Sequence, residues 1–455
     1  MTTSKKNTSQ VRELALEIII EVLEKGGYSH KVLGQALTKY QYLDKQERAF
    51  LSRLCEGTIE RAIELDYIIN QFSKVKVKKQ KPVIRNILRM AVYQIKYMDA
   101  VPDSAACNEA VKLGVKKGFG TLRGFLNGVL RNITRNLDQI TYPDELKEPI
   151  KYLSIHYSMP EWIVMKWMQE YDYATVKGML ERFNQTKETT IRTNLSKTTP
   201  EQLKEALEKE GVTVKDTTYL PYSFYISNYN FLNHLPEFRE GMFQVQDESS
   251  MLVGEIAGVK ENDIVIDVCA APGGKTLHMA EKLNGTGMVY SRDLTYEKTA
   301  YIEENVERLG LTNVTVSAQD ALVLDKDSVN KADVLICDLP CSGLGVIGKK
   351  PDIKYKMTKE QLGDLSKLQR EILKVVTSYV KQGGTMIYST CTINKEENEE
   401  NMNFIVNELG FELESIDAYL PETLRNETTK KGYLQLLPGI HNTDGFFISR
   451  LKKVK

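Results

Sequence analysis

The chain has few of the residues that build metal and disulfide scaffolds. Its 455 residues hold six cysteines and five histidines; no Cys-x-x-Cys pair occurs and the histidines are scattered, so no bound metal is expected. Thiols left free in this way point to a reducing, cytoplasmic compartment. No apolar run approaches the roughly 20 residues of a membrane span. The stretch from Met1 to Gln10 is polar and lacks a secretory apolar core, so neither a membrane protein nor an exported one is expected. Internal repeats and low-complexity tracts are missing too. Net charge is zero, with 61 Lys+Arg against 61 Asp+Glu.

That balance hides an asymmetry. Residues 1–140 carry 24 Lys+Arg against 14 Asp+Glu, and the remainder carries 37 against 47. Lys74, Lys76, Lys78, Lys79, Lys81, Arg85 and Arg89 lie in an acid-free stretch between Asp66 and Asp99, and a second such stretch holds Lys112, Lys116, Lys117, Arg123, Arg131 and Arg135. One-sign fields of this kind attract a polyanion. Solvated helix faces are the plainer explanation.

A chain of this length exceeds a single core, and its patterning predicts three domains. Residues 1–140 read as all-helical: Leu14, Ile18 and Val22 recur every four residues, as do Ile84, Leu88 and Val92, and Pro102-Asp103-Ser104 starts a helix. Residues 141–240 read as a small α+β insert, with a helix at 162–168, a strand at 189–193, a helix at 201–210 and strands near 212–214 and 224–226. Residues 241–455 alternate short apolar strands (263–269, 288–292, 314–317, 334–337 and 385–389) with helices (275–283, 296–309 and 362–380). Such alternation predicts a doubly wound, Rossmann-like α/β fold, whose ligands bind beyond the carboxyl ends of the strands.

One strand-to-helix turn is suited to a nucleotide-like cofactor: Cys269-Ala270-Ala271-Pro272-Gly273-Gly274-Lys275. It has neither the G-x-G-x-x-G of dinucleotide folds nor the spacing of a Walker loop. Asp293, ending the second strand about twenty residues on, suits a ribose; Asp320, ending the third, could accept from an adenine amino group. Two acids without a phosphate cradle point to S-adenosylmethionine.

Two cysteines sit where later strands run out, Cys341 in Asp338-Leu339-Pro340-Cys341 and Cys391 in Ser389-Thr390-Cys391-Thr392. Cytosine C5 is a poor nucleophile, but thiolate addition at C6 activates the ring toward a methyl donor. Cys391 is the expected nucleophile, Cys341 a helper in its release, and Asp338 the group facing the N3/N4 edge of the base. Cys55, Cys107, Cys269 and Cys337 lie within apolar elements and read as packed thiols.

These motifs, together with Lys350-Pro351-Asp352-Ile353-Lys354 and the closing Leu437-Pro438-Gly439 and Asp444-Gly445-Phe446-Phe447, resemble the Sun/RsmB family of RNA 5-methylcytosine methyltransferases over nearly the full length. The resemblance implies an S-adenosylmethionine methyltransferase domain behind a NusB-like, RNA-binding helical domain. It places cofactor contacts on Cys269 through Lys275, Asp293, Asp320 and Asp338, and the catalytic roles on Cys391, Cys341 and Asp338. The substrate it implies is C5 of cytosine 967 in 16S ribosomal RNA not yet assembled into a subunit. Leu339 and Thr392 depart from the more usual alanine and serine. A transfer-RNA cytosine methyltransferase and a non-catalytic RNA-binding assembly factor are the alternatives, and no oligomeric state is legible.

Overall fold

The computed structural model of the protein describes residues 2–185 and 188–454. Two compact units emerge: Met1–Gln185 with Ile347–Lys356, and Thr186–Val346 with Met357–Lys455.

The first unit is helical. Its central helix, Pro82–Tyr97, takes proline at its first turn, where the missing N–H costs nothing, and buries Ile84, Ile87, Leu88, Ala91, Val92 and Ile95. A helix buried on most of its circumference belongs at the middle of a bundle, and each large aliphatic side chain there contributes about 1.5–3 kcal/mol of transfer free energy. The helix Lys45–Glu60 opens with a capping box in which Asp44 accepts from the Glu47 N–H at 2.8 Å. Its Gly57 lets Tyr93 lie against the backbone, since a Cβ there would fall 2.0 Å from the ring. The expected helix after Pro102 spans Asp103–Lys116.

The basic stretches, acid-free in sequence, are not acid-free in space. Arg89 forms two 2.6 Å bonds with Asp66, Arg85 bonds Glu24 at 2.7 Å, and Lys116 and Lys117 reach Glu13 at 2.5 and 3.0 Å. Part of the apparent field is therefore neutralised from within the bundle. An open groove of about 560 Å³ lined by Lys112, Lys116, Arg123 and Arg131 carries no acidic lining residue.

The segment Ile347–Lys356, which contains the Lys-Pro-Asp-Ile-Lys motif, also belongs to this unit. Asp352 accepts from Ser29 and, at 2.7 Å, from Lys356. Lys354 is buried and donates to the Glu60 carbonyl at 2.8 Å, and the Tyr355 hydroxyl donates to that of Ile59 at 2.8 Å.

The second unit holds two sheets. The smaller, antiparallel and ordered β2-β3-β1-β4, comprises β1 (Thr189–Thr193), β2 (Thr213–Asp216), β3 (Ser223–Ser227) and β4 (Phe243–Val245), with the helix Pro200–Lys209 alongside. The larger comprises β5 (Ile264–Asp267), β6 (Met288–Asp293), β7 (Val314–Ala318), β8 (Ala332–Asp338), β9 (Val380–Thr390), β10 (Phe411–Leu413), β11 (Tyr433–Leu436) and β12 (Phe446–Lys453). Its order is β10-β12-β9-β8-β5-β6-β7, with β11 on β12; β5 to β9 run parallel and β12 runs antiparallel to β9. Chain order reverses at β5, which has β6 on one side and β8 on the other, and a crevice at the carboxyl end of β5 follows from that topology.

The helix expected to reach Val380 ends at Val376, because Val380 already pairs with Ala332 in the sheet. The three C-terminal strands were not anticipated: β12 is buried at six consecutive positions and shows no alternation to read. Among the described residues no helix is long and apolar enough to cross a membrane, and no group of three or more His, Cys, Asp or Glu could hold a metal ion.

Candidate active site

Strand β5 delivers the chain into the glycine turn. The Gly273 N–H donates to the Ala270 carbonyl at 2.7 Å, and Gly273 takes φ +103°, a conformation open to glycine, before the helix Gly274–Lys282 begins. The Ala271 N–H donates to Asp293 at the end of β6 at 3.0 Å. Asp293 also accepts from the Leu294 N–H at 2.7 Å and from Lys298 at 2.9 Å. Past β7, the Gln319 N–H donates to the Asp293 carbonyl at 2.8 Å, bringing the Asp320 loop to the same edge. Asp320 is exposed and accepts from the Leu322 N–H at 2.9 Å.

The sequence assigns no role to Asp267, the last residue of β5 and the residue that leads into the turn. It is fully buried; one carboxylate oxygen accepts from Thr276 at 2.7 Å and the other has no partner. Burial pushes its pKa up to about 7 against the opposing Thr276 bond and Lys275 charge. Carboxylates thus stand at or just beyond the ends of three neighbouring strands, around a turn with glycine at its tip. This donor-hungry set fits the hydroxyl and amino groups of an adenosine-containing cofactor.

Beside the turn, Lys275 donates to Asp338 at 2.6 Å, and its ammonium lies 5.3 Å from the centre of the Phe446 ring. Burial works against this ammonium, but the facing Asp338 carboxylate outweighs it and holds the pKa above the usual lysine range. Asp338 pairs in register with Ser389 across β8 and β9 and accepts from that hydroxyl at 2.8 Å. With two donors converging on it, Asp338 is set as an acceptor, a better match for an exocyclic amino group than for a ring nitrogen lacking hydrogen.

The same register brings the two cysteines together just past the strand ends. Cys341 Sγ and Cys391 Sγ are 3.2 Å apart. The Gly345 N–H donates to the Cys391 carbonyl at 3.0 Å, the Gly445 N–H donates to the Gly345 carbonyl at 2.9 Å, and the Ser342 and Thr392 hydroxyls share a 2.7 Å bond. A Cβ on Gly345 would lie 1.9 Å from the Gly445 oxygen, so only glycine fits this crossing. The hydrogen bond with Cys391, then burial, raises the Cys341 thiol's pKa. Cys55, Cys107 and Cys337 are buried and Cys269 partly so, all four held protonated chiefly by burial, as packed thiols should be.

Behind the cysteines lies a polar cluster the sequence did not reveal. Glu397, Gln369, Asn394, Asn398 and Asn401 are all buried. Glu396-Glu397-Asn398-Glu399 reads as a solvated face, and nothing local separates the one interior acid from its neighbours.

Residues 256–452 match the family model described as 16S rRNA methyltransferase RsmB/F, residues 9–135 the NusB family, and residues 159–230 the ferredoxin-like domain of RsmF/B-like methyltransferases. The chain is 35% identical, over 98% of its length and 99% of the relative's, to the "Probable ribosomal RNA small subunit methyltransferase B" of Bacillus subtilis. It is 33% identical to the protein of the same description from Synechocystis, covering 97% and 99% of the two chains. The crystal structure of PH0851 superposes with a TM-score of 0.82 at 25% identity, covering 98% and 99% of the respective chains.

Proposed function

The chain belongs to the RsmB/F family of 16S ribosomal RNA methyltransferases, enzymes dependent on S-adenosylmethionine, and on that premise we propose that it methylates C5 of a cytosine in 16S ribosomal RNA through a covalent adduct between Cys391 and C6. The observation that carries this reading is the 3.2 Å pair of thiols beside the Lys275–Asp338 ion pair. Asp293, Asp320 and the turn Cys269-Ala270-Ala271-Pro272-Gly273-Gly274-Lys275 are the residues that would hold the cofactor. Bound there, it supplies the electrophilic methyl group.

Each protein group then has a separate task. Asp338 accepts from the cytosine amino group and fixes the ring over the thiols. Cys391 Sγ bonds to C6, and the displaced electron density makes C5 nucleophilic. After methylation a base takes the C5 proton, the C6–S bond breaks, and its electron pair returns to Cys391 with Cys341 beside it to assist release. C6 is inaccessible within a stacked helix, so the target is unpaired or flipped, a condition met most readily in RNA free of the assembled subunit. Cytosine 967, the target position of the resembled family, is the expected site.

Bisulfite sequencing of unmodified 16S ribosomal RNA and transfer RNA, after incubation with the protein and S-adenosylmethionine, tests the substrate. One protected cytosine in the ribosomal RNA is expected; protection only in transfer RNA would replace the substrate and keep the chemistry. Cys391→Ala should abolish turnover with cofactor binding intact. Cys341→Ala should accumulate a denaturation-resistant RNA adduct, and a freely turning-over variant would remove its role in release.

A further inference from the structure

We propose that Glu397 is a positioning residue for the cysteine pair, a buried carboxylate that clasps the Cys341 loop to the segment after Cys391 and, by its charge, keeps the proton shared by the thiols on Cys341. The inference rests on the covalent reading above, in which Cys391 attacks, and adds the group that holds Cys341 in place beside it.

The clasp is direct. Glu397 is fully buried, and Oε2 accepts from the Ser342 N–H at 2.9 Å and from Gln369 Nε2 at 3.0 Å, while Oε1 accepts from Asn394 Nδ2 at 2.8 Å. Gln369 Nε2 also donates to the Pro340 carbonyl at 2.8 Å. The residues immediately before and after Cys341 are therefore both tied to this one carboxylate, one of them through Gln369. Gln369 is held in turn by Asn401, which donates to its Oε1 at 2.7 Å. The Glu397 carbonyl accepts from the buried Tyr388 hydroxyl, which anchors the clasp to β9.

The carboxylate's hydrogen bonds come from neutral N–H groups, so its charge is not cancelled at contact. In a dry interior such a charge acts strongly on its neighbours. The titratable groups facing the Cys341 thiol are Cys391, Glu397, Asp338 and Tyr388, with the Lys275 ammonium beyond Asp338. Glu397 and Asp338 both oppose a negative charge on Cys341, whereas the Lys275 ammonium acts on Cys391. Charge on Cys341 is thus opposed by two carboxylates while charge on Cys391 faces an ammonium, an arrangement that favours Cys391 as the attacking sulfur with the Cys341 S–H donating toward it. When the C6–S bond later breaks, the electron pair returns to Cys391 and meets the same S–H donor, while the C5 proton leaves to a separate base. No net proton is gained or lost by the pair.

The test is site-resolved alkylation of the two cysteines by iodoacetamide across pH 6 to 10, read by mass spectrometry together with the pH profile of methyl transfer. In the wild-type enzyme Cys391 should alkylate about tenfold faster than Cys341 or more, since the thiolate is the reactive form. Glu397→Gln should bring that ratio toward one and move the ionisation of Cys341 to lower pH. Glu397→Asp, which keeps the charge, should restore the preference, and Gln369→Leu, which loosens the clasp alone, should lower turnover without shifting the profile. A wild-type enzyme that alkylates both thiols equally, or a Glu397→Gln enzyme that binds cofactor and keeps both ratio and profile, overturns the proposal. Should Glu397→Gln fail to bind cofactor, the wild-type ratio and the Glu397→Asp enzyme decide. Absence of any adduct between the wild-type enzyme and 5-fluorocytosine RNA would instead sink the covalent reading itself.

Discussion

Two lysines largely withdrawn from solvent, one in each unit, are opposites. Lys275, in the sheet unit, faces the Asp338 carboxylate at 2.6 Å, and its pKa lies above the ordinary value even though burial opposes the charge. Lys354, in the helical unit, has the Glu60 carbonyl as its acceptor at 2.8 Å, and burial pushes its pKa down to about 7. Burial is common to both. The difference is the sign of what each ammonium meets, and it separates a fixed cation at a reaction centre from a lysine that titrates near neutrality inside a structural plug.

The largest test of this contrast is Lys275→Met, which leaves Asp338 without its cation. Methyl transfer should fall by about 100-fold, about 2.7 kcal/mol of transition-state stabilisation, because Asp338 loses the cation that fixes it; kcat/KM from methyl incorporation measures it. Retained activity would mean that Asp338 does not need its partner.

Next is Lys354→Met, expected to be neutral or stabilising at pH 7, because a well-packed apolar side chain replaces an ammonium without a carboxylate at contact. The pH dependence gives the sharper answer. A lysine whose folded pKa is about 7 and whose unfolded pKa is about 10.4 binds fewer protons when folded, so wild-type stability rises between those values and the burial cost is fully present below them. Between pH 7 and 9 the wild type should gain about 2 kcal/mol relative to the variant, read from urea midpoints. A pH-independent difference would show that Lys354 stays charged throughout.

The smallest effect belongs to an exposed cation. Glu13→Gln removes the partner of Lys116 at the basic groove, with a stability change within about 1 kcal/mol. If the helical unit contacts RNA, the salt dependence of binding should steepen by up to about one counterion, and an unchanged slope would place that groove outside the RNA path.

Legibility differed in the same way from place to place. The glycine turn, the strand ends at Asp293 and Asp338 and the packed state of Cys337 could be read because each is set by a few adjacent residues. Asp267 could not, since a carboxylate closing an apolar strand has the same local pattern whether it is solvated or fully buried. Nor could the pairing of Arg89 with Asp66 or of Lys116 with Glu13, acids that lie on other helices.

By itself the sequence determined most of the order of helices and strands as far as β9, the turn suited to a cofactor and the two thiols able to react, since periodicity and turn chemistry act over a few residues. The tertiary structure alone decided that the β8–β9 register sets those thiols 3.2 Å apart, that Pro351–Lys356 docks among helices, and that Glu397 is interior while its neighbour Glu396 is not. Those outcomes depend on which groups share a low-dielectric space, and that is fixed only when distant segments pack.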